Sequence, residues 1–279
     1  MKISYNRPTS IAWSLAGAGA AWLTDSDALT NGRPAAVVRL QWLTGAQTTA
    51  SVLTLRGTWA AALTPGMVGL VGLSLPIGTL ITLAFRRPTD AGYTYQAGVY
   101  QQRVTQLPDG SRCAWFLLAD GLDPVIGIEY RIANDVSGAA LIPADSTVNL
   151  GEAWIGTTID VPHEASWTRG IVDPTTVRRS KGGQLFGVPA KTWRSLSVRL
   201  SASPLSEVSG DGLQGTDWEQ IEGELAAAGR CVVVPRWRGQ TADYLQRTVL
   251  FAVASKQGDV EHLAGNLFSR DYTFEEVPA

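Results

Sequence analysis

Residues 80–118 contain the pattern that decides the fold class. They read LITLAF at 80–85, YTYQAGVY at 93–100, LPDG at 107–110 and CAWFLL at 113–118. The apolar and aromatic segments have the composition of strands, residues 93–100 alternate with a period of two, and LPDG is a turn sequence. The stretch therefore predicts a strand at 80–85, followed by a hairpin formed by 93–100 and 113–118.

Segments of the same kind recur along the whole chain, about every ten residues, with Gly and Pro between them. They lie at 35–43, 52–55, 125–132, 148–158, 193–200, 231–234, 249–254 and 272–277. This spacing predicts a mainly β chain of two β-sandwich or jelly-roll-like domains, and not an alternation of strands and helices. Small and polar residues at 134–146 mark a boundary between a domain at 1–146 and a domain at 147–279.

One helix is predicted, packed on the sheet of the second domain at about 216–229. Thr216 and Glu219 have the spacing of a capping box, apolar residues follow on one face, and Gly229 is a typical C-terminal stop. Residues 160–183 are polar and rich in turn formers, and they predict a long loop that ends in a tight turn at Ser180–Gly183.

The composition excludes two broad classes of protein. The 279 residues include 45% hydrophobic residues, and 23 Lys and Arg stand against 25 Asp and Glu. The hydrophobic content excludes a disordered chain, and the balanced charge disfavours nucleic-acid binding, which requires an excess of basic residues. Charged residues make up only 17%. Such a low charge is typical of a surface that is partly buried against copies or neighbours.

Two apolar stretches raise the question of a membrane segment. Residues 57–85 carry no charge but contain Pro65 and Pro76, which favour two short buried strands over a lipid-exposed helix. Residues 11–23 resemble a signal peptide, but polar residues precede them and two tryptophans interrupt them. We therefore expect a soluble chain that does not insert into a membrane.

Few residues form a catalytic or metal-binding pattern. His163 and His262 are the two histidines, and neither has a partner at metal-ligand spacing, although each remains open as a general base. Cys113 and Cys231 are 118 positions apart, which favours two buried free thiols over a disulfide or a zinc site. We therefore predict neither an enzyme nor a cofactor.

Two carboxylates of the first domain are candidate ligands. Asp25 and Asp27 flank Ser26, a pattern that suits a calcium ion but is equally common in turns and helix caps. Together with a tryptophan face, these carboxylates also suit a sugar. A module that recognises a host cell-surface glycan is therefore the alternative function.

Basic and aromatic residues in two segments of the second domain form the candidate protein interface. Arginine and tryptophan are enriched at interfaces, and the chain places them here in pairs. The candidate residues are Trp167, Arg178, Arg179 and Lys181 in the first segment, and Arg236, Trp237 and Arg238 in the second.

Several segments resemble known families. Residues 21–27, with 31–34 and the strand after them, resemble the opening of galactose-binding-like β-sandwich modules, with Ser26 in place of the usual glycine of an LTDG loop. Residues 67–85 resemble later strands of the same module. In the second domain, residues 151–156, 173–184 and 193–196 resemble distal tail (baseplate, tail-tip) proteins of long-tailed bacteriophages.

The second resemblance implies a structural role in a virion. Such proteins form an oligomeric ring, of which a hexamer is one form, and the ring links the tail tube to the hub and receptor-binding proteins. It also implies synthesis in the cytoplasm of a host bacterium, a final location at the phage tail tip, and an assembly domain at 147–279.

Overall fold

The computed structural model describes residues 1–16, 19–42, 52–95, 100–136, 146–163, 167–225, 229–236, 238–239 and 241–279. Up to residue 136, the elements are β1 (Lys2–Ser4), β2 (Ala12–Ala16), β3 (Ala20–Trp22), a 3-10 helix (Ser26–Thr30), β4 (Val38–Trp42), β5 (Val52–Leu63), β6 (Met67–Val71), β7 (Thr79–Arg86), β8 (Gln101–Arg103), β9 (Thr105–Gln106), β10 (Arg112–Leu117) and β11 (Val125–Val136).

The remaining elements are again mostly strands. They are β12 (Thr147–Leu150), β13 (Glu152–Gly156), β14 (Ile159–Asp160), β15 (Trp167–Val172), β16 (Thr176–Arg179), β17 (Leu185–Val188), β18 (Trp193–Pro204), α1 (Leu205–Val208), α2 (Trp218–Leu225), β19 (Arg230–Val234), α3 (Ala242–Thr248), β20 (Leu250–Gln257), β21 (Glu261–Ala264) and β22 (Leu267–Glu276). The chain is mainly β with antiparallel sheets and few helices, as its sequence predicts.

The chain divides into two compact units, each made of separate stretches of sequence. The first unit comprises residues 4–158, 236–249 and 279, and the second comprises 1–3, 159–235 and 250–278. This division differs from the single boundary at residue 146 that composition suggests. Pairing between distant strands determines the units, and local composition carries no record of such pairing.

The first unit consists of three antiparallel sheets around one apolar core. Their strand orders are β2-β5-β11-β7-β8, β13-β6-β10-β9 and β12-β4-β3. All three sheets contribute side chains to one cluster of buried residues, which gives the unit a sandwich-like architecture. Trp13, Trp42, Trp59, Trp115 and Trp154 are buried, whereas Trp22 is only partly buried against the same core.

A buried glutamine of α3 completes the hydrogen bonding of strand β10. Trp115 pairs with Gly69 of β6, whereas β9 pairs only with the start of β10. The main-chain N–H of Trp115 donates to Gln246 Oε1 at 2.6 Å, and Gln246 Nε2 donates to the Trp115 carbonyl. This contact satisfies buried main-chain groups of the strand, and it holds residues 242–248 in the first unit.

The second unit contains one eight-stranded antiparallel sheet and one separate hairpin. The strand order of the sheet is β14-β1-β19-β20-β22-β18-β15, with β21 paired to β22, and the hairpin is β16-β17. Helix α2 packs on this sheet, because Trp218 stacks on Tyr272 of β22 with ring centroids 4.8 Å apart. The predicted packing of a helix on the second sheet is therefore confirmed, whereas α1 and α3 were not predicted.

The N-terminal cap of α2 is one residue later than predicted. Asp217 Oδ1 accepts the main-chain N–H of Gln220 at 2.8 Å, so Asp217 caps the helix that begins at Trp218. The hydroxyl of Thr216 instead donates to the side chain of Gln220. The capping-box prediction of Thr216 is wrong because an aspartate beside the threonine competes for the same main-chain donors.

Two predictions of local structure are also wrong. Of the predicted strand at 93–100, residues 96–99 lie outside the described residues, and 93–95 and 100 lie outside the strands, apart from a single bridge between Tyr95 and Phe85. Strand β10 forms its hairpin with β9 instead. Residues 160–183, predicted as a loop, contain β15 and β16. These strands are not evident from the sequence because Gly170, Arg178 and Arg179 interrupt the alternation of apolar and polar residues that marks a half-buried strand.

The uncharged stretch at 57–85 forms β5, β6 and β7, so short strands replace the membrane helix considered for it. Among the helices described, none has the length and apolar character needed to cross a membrane. Cys113 and Cys231 are buried thiols outside any disulfide, as predicted.

Candidate functional site

The hairpin at residues 176–188, called the arm below, is exposed along both of its strands. Its strands pair with each other, and every strand residue faces solvent. The tight turn predicted at Ser180–Gly183 closes it. The N–H of Ser180 donates to the carbonyl of Gln184 at 2.8 Å, and Gly183 has a φ of +84°, which suits glycine.

Both faces of the arm carry large apolar side chains. Because successive residues of a strand point in opposite directions, Val177 and Leu185 lie on one face, and Phe186 and Val188 lie on the other. Phe186 is 55% exposed and Val188 is 65% exposed. Exposed apolar side chains on both faces make the arm a candidate surface for burial against other molecules.

The basic residues predicted as interface contacts lie on this arm. Arg178 and Arg179 are part of β16, and Lys181 lies in the turn, all three exposed to solvent. Residues 174–194 contain five Lys and Arg and no acid. Sequence reasoning identified these charges but missed the apolar side chains between them, although the LFGV segment at 185–188 was a readable signal.

The structure does not gather all of the predicted interface residues in one unit. Trp167 is half-buried on β15, where it pairs with Val198 of β18 in the second unit. Arg236 and Arg238 are exposed but belong to the first unit, and Trp237 lies outside the described residues. The arm is therefore the part of the predicted interface with the clearest geometry.

Asp25 acts as a helix cap. Its Oδ1 accepts the main-chain N–H of Asp27 at 3.1 Å, at the start of the 3-10 helix. Both carboxylates are exposed, and in the described part of the chain no three acidic, histidine or cysteine residues group as metal ligands. This geometry matches the capping alternative for the pair.

The two histidines contact main-chain or terminal groups. His163 Nδ1 lies 3.0 Å from the amino nitrogen of Met1, and burial together with this positive charge lowers the pKa of the imidazole. His262 Nε2 lies 2.6 Å from the carbonyl oxygen of Gly265, and its ring packs on Phe268. These contacts suit structural roles for both imidazoles.

A buried carboxylate ties three segments of the first unit together. Glu152 of β13 accepts Arg7 Nη1 at 2.9 Å and the main-chain N–H of Gly32 at 2.8 Å. Burial raises the pKa of Glu152 to about 7, although the charge of Arg7 opposes this shift. The arrangement anchors residues near 7 and 32 to β13.

The second unit also has a small apolar cleft of about 10 Å³, roughly the room that one water molecule needs. The cleft lies where α1 and α2 meet the strand side chains of the sheet. Trp218 lines it, and among the described residues Trp218 Nε1 has no hydrogen-bond partner although it is buried. Residues that line the cleft include Leu200, Val208, Trp218, Val260, Phe268 and Arg270.

Comparison of this chain with known proteins identifies no similar protein. No protein-family model, no curated protein and no solved structure matches this chain.

Proposed function

We propose that this chain is a structural subunit of the tail tip, or baseplate, of a long-tailed bacteriophage. In this proposal, copies form an oligomeric ring that links the tail tube to the hub and receptor-binding proteins. The observation that carries the proposal is the arm at 176–188, which presents apolar side chains on both faces and packs on neither.

An exposed arm of this kind has a physical reason to bind a neighbour. A two-stranded hairpin without a packed face is at best marginally stable in water. Burying one large apolar side chain contributes about 1.5–3 kcal/mol, so covering Val177, Leu185, Phe186 and Val188 would offset the cost of ordering the hairpin. In a closed ring, symmetry repeats the same contact at every subunit.

Two features of the sequence support the location in a phage tail. The segments at 151–156, 173–184 and 193–196 resemble distal tail proteins, and the segment at 173–184 includes much of the arm. The low content of charged residues fits a surface that becomes buried on assembly.

Multi-angle light scattering with negative-stain microscopy tests the proposal on the purified full chain. The control variant replaces residues 176–188 by a short Gly-Ser link between Thr175 and Pro189, which lie at the base of the arm. We expect the native chain to form a closed oligomer and the link variant to be a folded monomer by circular dichroism. A native chain that stays monomeric at all concentrations would overturn the proposal.

A glycan array tests the carbohydrate-binding alternative directly. A structural subunit shows no saturable binding on such an array. Saturable binding that disappears in the Asp25→Asn/Asp27→Asn variant would replace the structural proposal with the binding module.

A further inference from the structure

Three arginines share the outer face of the five-stranded sheet in the first unit. In the register of this sheet, Arg56 of β5 lies opposite Glu129 of β11, and Arg86 of β7 lies opposite Gly127 of β11. Residues 127, 129 and 131 of β11 point to one side, because successive residues of a strand alternate between the two faces. Arg56, Arg86 and Arg131 therefore lie on the same side of the sheet, and the alternate residues of β11 are buried in the core on the other side.

One buried carboxylate holds two of these arginines. Glu129 Oε2 accepts Arg56 Nε at 2.6 Å, and Glu129 Oε1 accepts Arg131 Nε at 2.6 Å. The Glu129 side chain is 2% exposed, whereas the side chains of Arg56 and Arg131 are 40% and 45% exposed. Both hydrogen bonds use the Nε atom, and in the described part of the chain neither guanidinium group donates to a further acceptor. The Nη groups of both arginines are therefore available to a ligand.

The Tyr93 side chain connects the third arginine to this pair. The Tyr93 ring lies against Gly127, and the guanidinium Cζ of Arg56 is 4.8 Å from the centroid of the ring. Burial raises the pKa of the Tyr93 phenol and the charges of Arg56 and Arg86 lower it, in agreement with the positions of both arginines in the sheet. Arg86 Nε is buried and has no hydrogen-bond partner among the described residues. Such a donor calls for an acceptor from outside the chain, a water molecule or an ion.

The three arginines carry more positive charge than the chain balances locally. Among the described residues, Glu129 is the one acid that pairs with any of them. Three positive charges less one negative charge leave a formal net charge of +2 here, although the whole chain has a net charge of -2. Like charges held close together repel one another, and an anion between them relieves the repulsion. We call Arg56, Arg86 and Arg131, with Glu129 and Tyr93, the arginine site.

We propose that the arginine site binds a tetrahedral oxyanion, a phosphate or sulfate group. A guanidinium group can donate two parallel N–H bonds to such an anion, and Arg56 and Arg131 both have Nη groups available for it. A dianion balances the local charge, and its oxygens are numerous enough for all three arginines, whereas a carboxylate offers one charge and two oxygens. Glu129 is a positioning residue, because it fixes two guanidinium groups through their Nε atoms. This inference goes beyond the proposed function, since the site lies in the first unit and the arm lies in the second.

Isothermal titration calorimetry of the full chain with inorganic phosphate tests the arginine site, with sodium chloride keeping the ionic strength constant. We expect saturable binding of phosphate, competition by sulfate and no competition by acetate. Arg131→Gln should weaken phosphate binding about tenfold or more, because charge-assisted hydrogen bonds to the anion are lost. The buried Glu129 keeps its bond to Arg56 in this variant, so the fold should persist, as circular dichroism would verify.

A matched control variant carries the same change of net charge elsewhere on the first unit. It is Arg39→Gln, at an exposed position of β4, and it should bind phosphate like the native chain. Arg86→Gln, in contrast, should weaken the binding. Arg131→Gln that binds phosphate as tightly as the native chain would overturn the inference, and so would acetate that binds as tightly as phosphate.

A labelling experiment on the native chain does not depend on the folding of any variant. Phenylglyoxal modifies accessible arginines, and peptide mass spectrometry measures the modification of each one. Phosphate should slow the modification of Arg56 and Arg131 but not that of Arg39. Equal rates with and without phosphate at all three positions, or a native chain without saturable phosphate binding, would overturn the inference. Neither result affects the proposed ring, which light scattering tests separately.

Discussion

Two hairpins of this chain are alike in local form and opposite in burial. The hairpin β9–β10 turns at Leu107–Ser111 with Gly110 at a φ of +86°, and the arm turns with Gly183 at a φ of +84°. Cys113, Ala114, Trp115 and Phe116 of β10 are all buried, whereas the strand residues of the arm are all exposed. The local sequence therefore determines the turn of each hairpin. The burial of its strands depends on which other elements of the molecule pack on them.

The difference has a visible cause in the two sequences. Strand β10 has four consecutive buried residues and lies between β6 and β9, with α3 packed near Trp115. Such a continuous apolar run indicates a strand covered on both faces. The arm has the same two-sided apolar character, but arginines stand between its apolar residues, and all of its strand residues are exposed. Such an exposed apolar hairpin is suited to burial against a partner.

The largest expected contrast is between one phenylalanine in each hairpin. Phe116→Ala removes a side chain that is 2% exposed in the core of the first unit, and we expect a loss of about 3–5 kcal/mol in the free energy of unfolding. Phe186→Ala removes an exposed side chain, and we expect a change within about 0.5 kcal/mol. Urea unfolding followed by tryptophan fluorescence measures both.

Both substitutions should be measured at protein concentrations at which the chain is monomeric, so that assembly does not contribute to stability. At higher concentrations, Phe186→Ala should instead weaken the oligomer. A loss of several kcal/mol for Phe186→Ala in the monomer would show that the arm packs on its own unit, and the contrast between the hairpins would fail.

A second and smaller contrast in stability compares a glycine of β6, the strand paired with β10, with a glycine of the arm. A Cβ at Gly69 of β6 would collide with the Trp115 ring, whereas a Cβ at Gly187 of β17 meets nothing within 4 Å. We expect Gly69→Ala to cost about 1–3 kcal/mol because the buried ring must shift. Gly187→Ala should leave the Tm unchanged or slightly raised. Equal Tm values for the two variants would contradict the close packing of β6 on Trp115.

The sequence predicted the features that depend on neighbouring residues. The turn at 107–110, the strand that begins at Trp193, the helix that contains Trp218 and the buried free cysteines are all present. Each of these has a local signal: turn residues, alternation, apolar residues on one face of a helix, or an isolated thiol in an apolar run. The mainly β class followed from many such signals together.

The features that sequence missed depend on distant residues. The discontinuous units arise because β1 joins a sheet with β14 and β19, while α3 packs on β10 through Gln246. The arm was read as part of a loop because Arg178 and Arg179 broke its apolar pattern. The apolar cleft combines residues of α1 and α2 with residues of β18 and β22, and only the fold brings these segments together.

The smallest expected effect is a change of stability with pH that arises from Glu152, a buried carboxylate of the first unit. The arm has no buried carboxylate of this kind. The pKa of Glu152 is raised to about 7 in the folded chain by burial, from an ordinary value of 4.5. Between these two values, the folded chain holds a proton that the unfolded chain has released. The free energy of unfolding should therefore fall as pH rises from about 5 to about 7.

Two variants isolate the contribution of this carboxylate. In Glu152→Gln the group no longer titrates, so the Tm of the native chain should decline relative to this variant between pH 5 and pH 7, by scanning calorimetry. The positive charge of Arg7 lies 2.9 Å from the Glu152 carboxylate and favours the ionised carboxylate. Arg7→Met removes this charge and should raise the pKa of Glu152 further, so the decline in Tm should extend to higher pH. Parallel Tm curves for the native chain and Glu152→Gln across this range would show that Glu152 does not hold a proton near neutrality. In that case its contacts with Arg7 and Gly32 would be those of an ordinary ionised carboxylate.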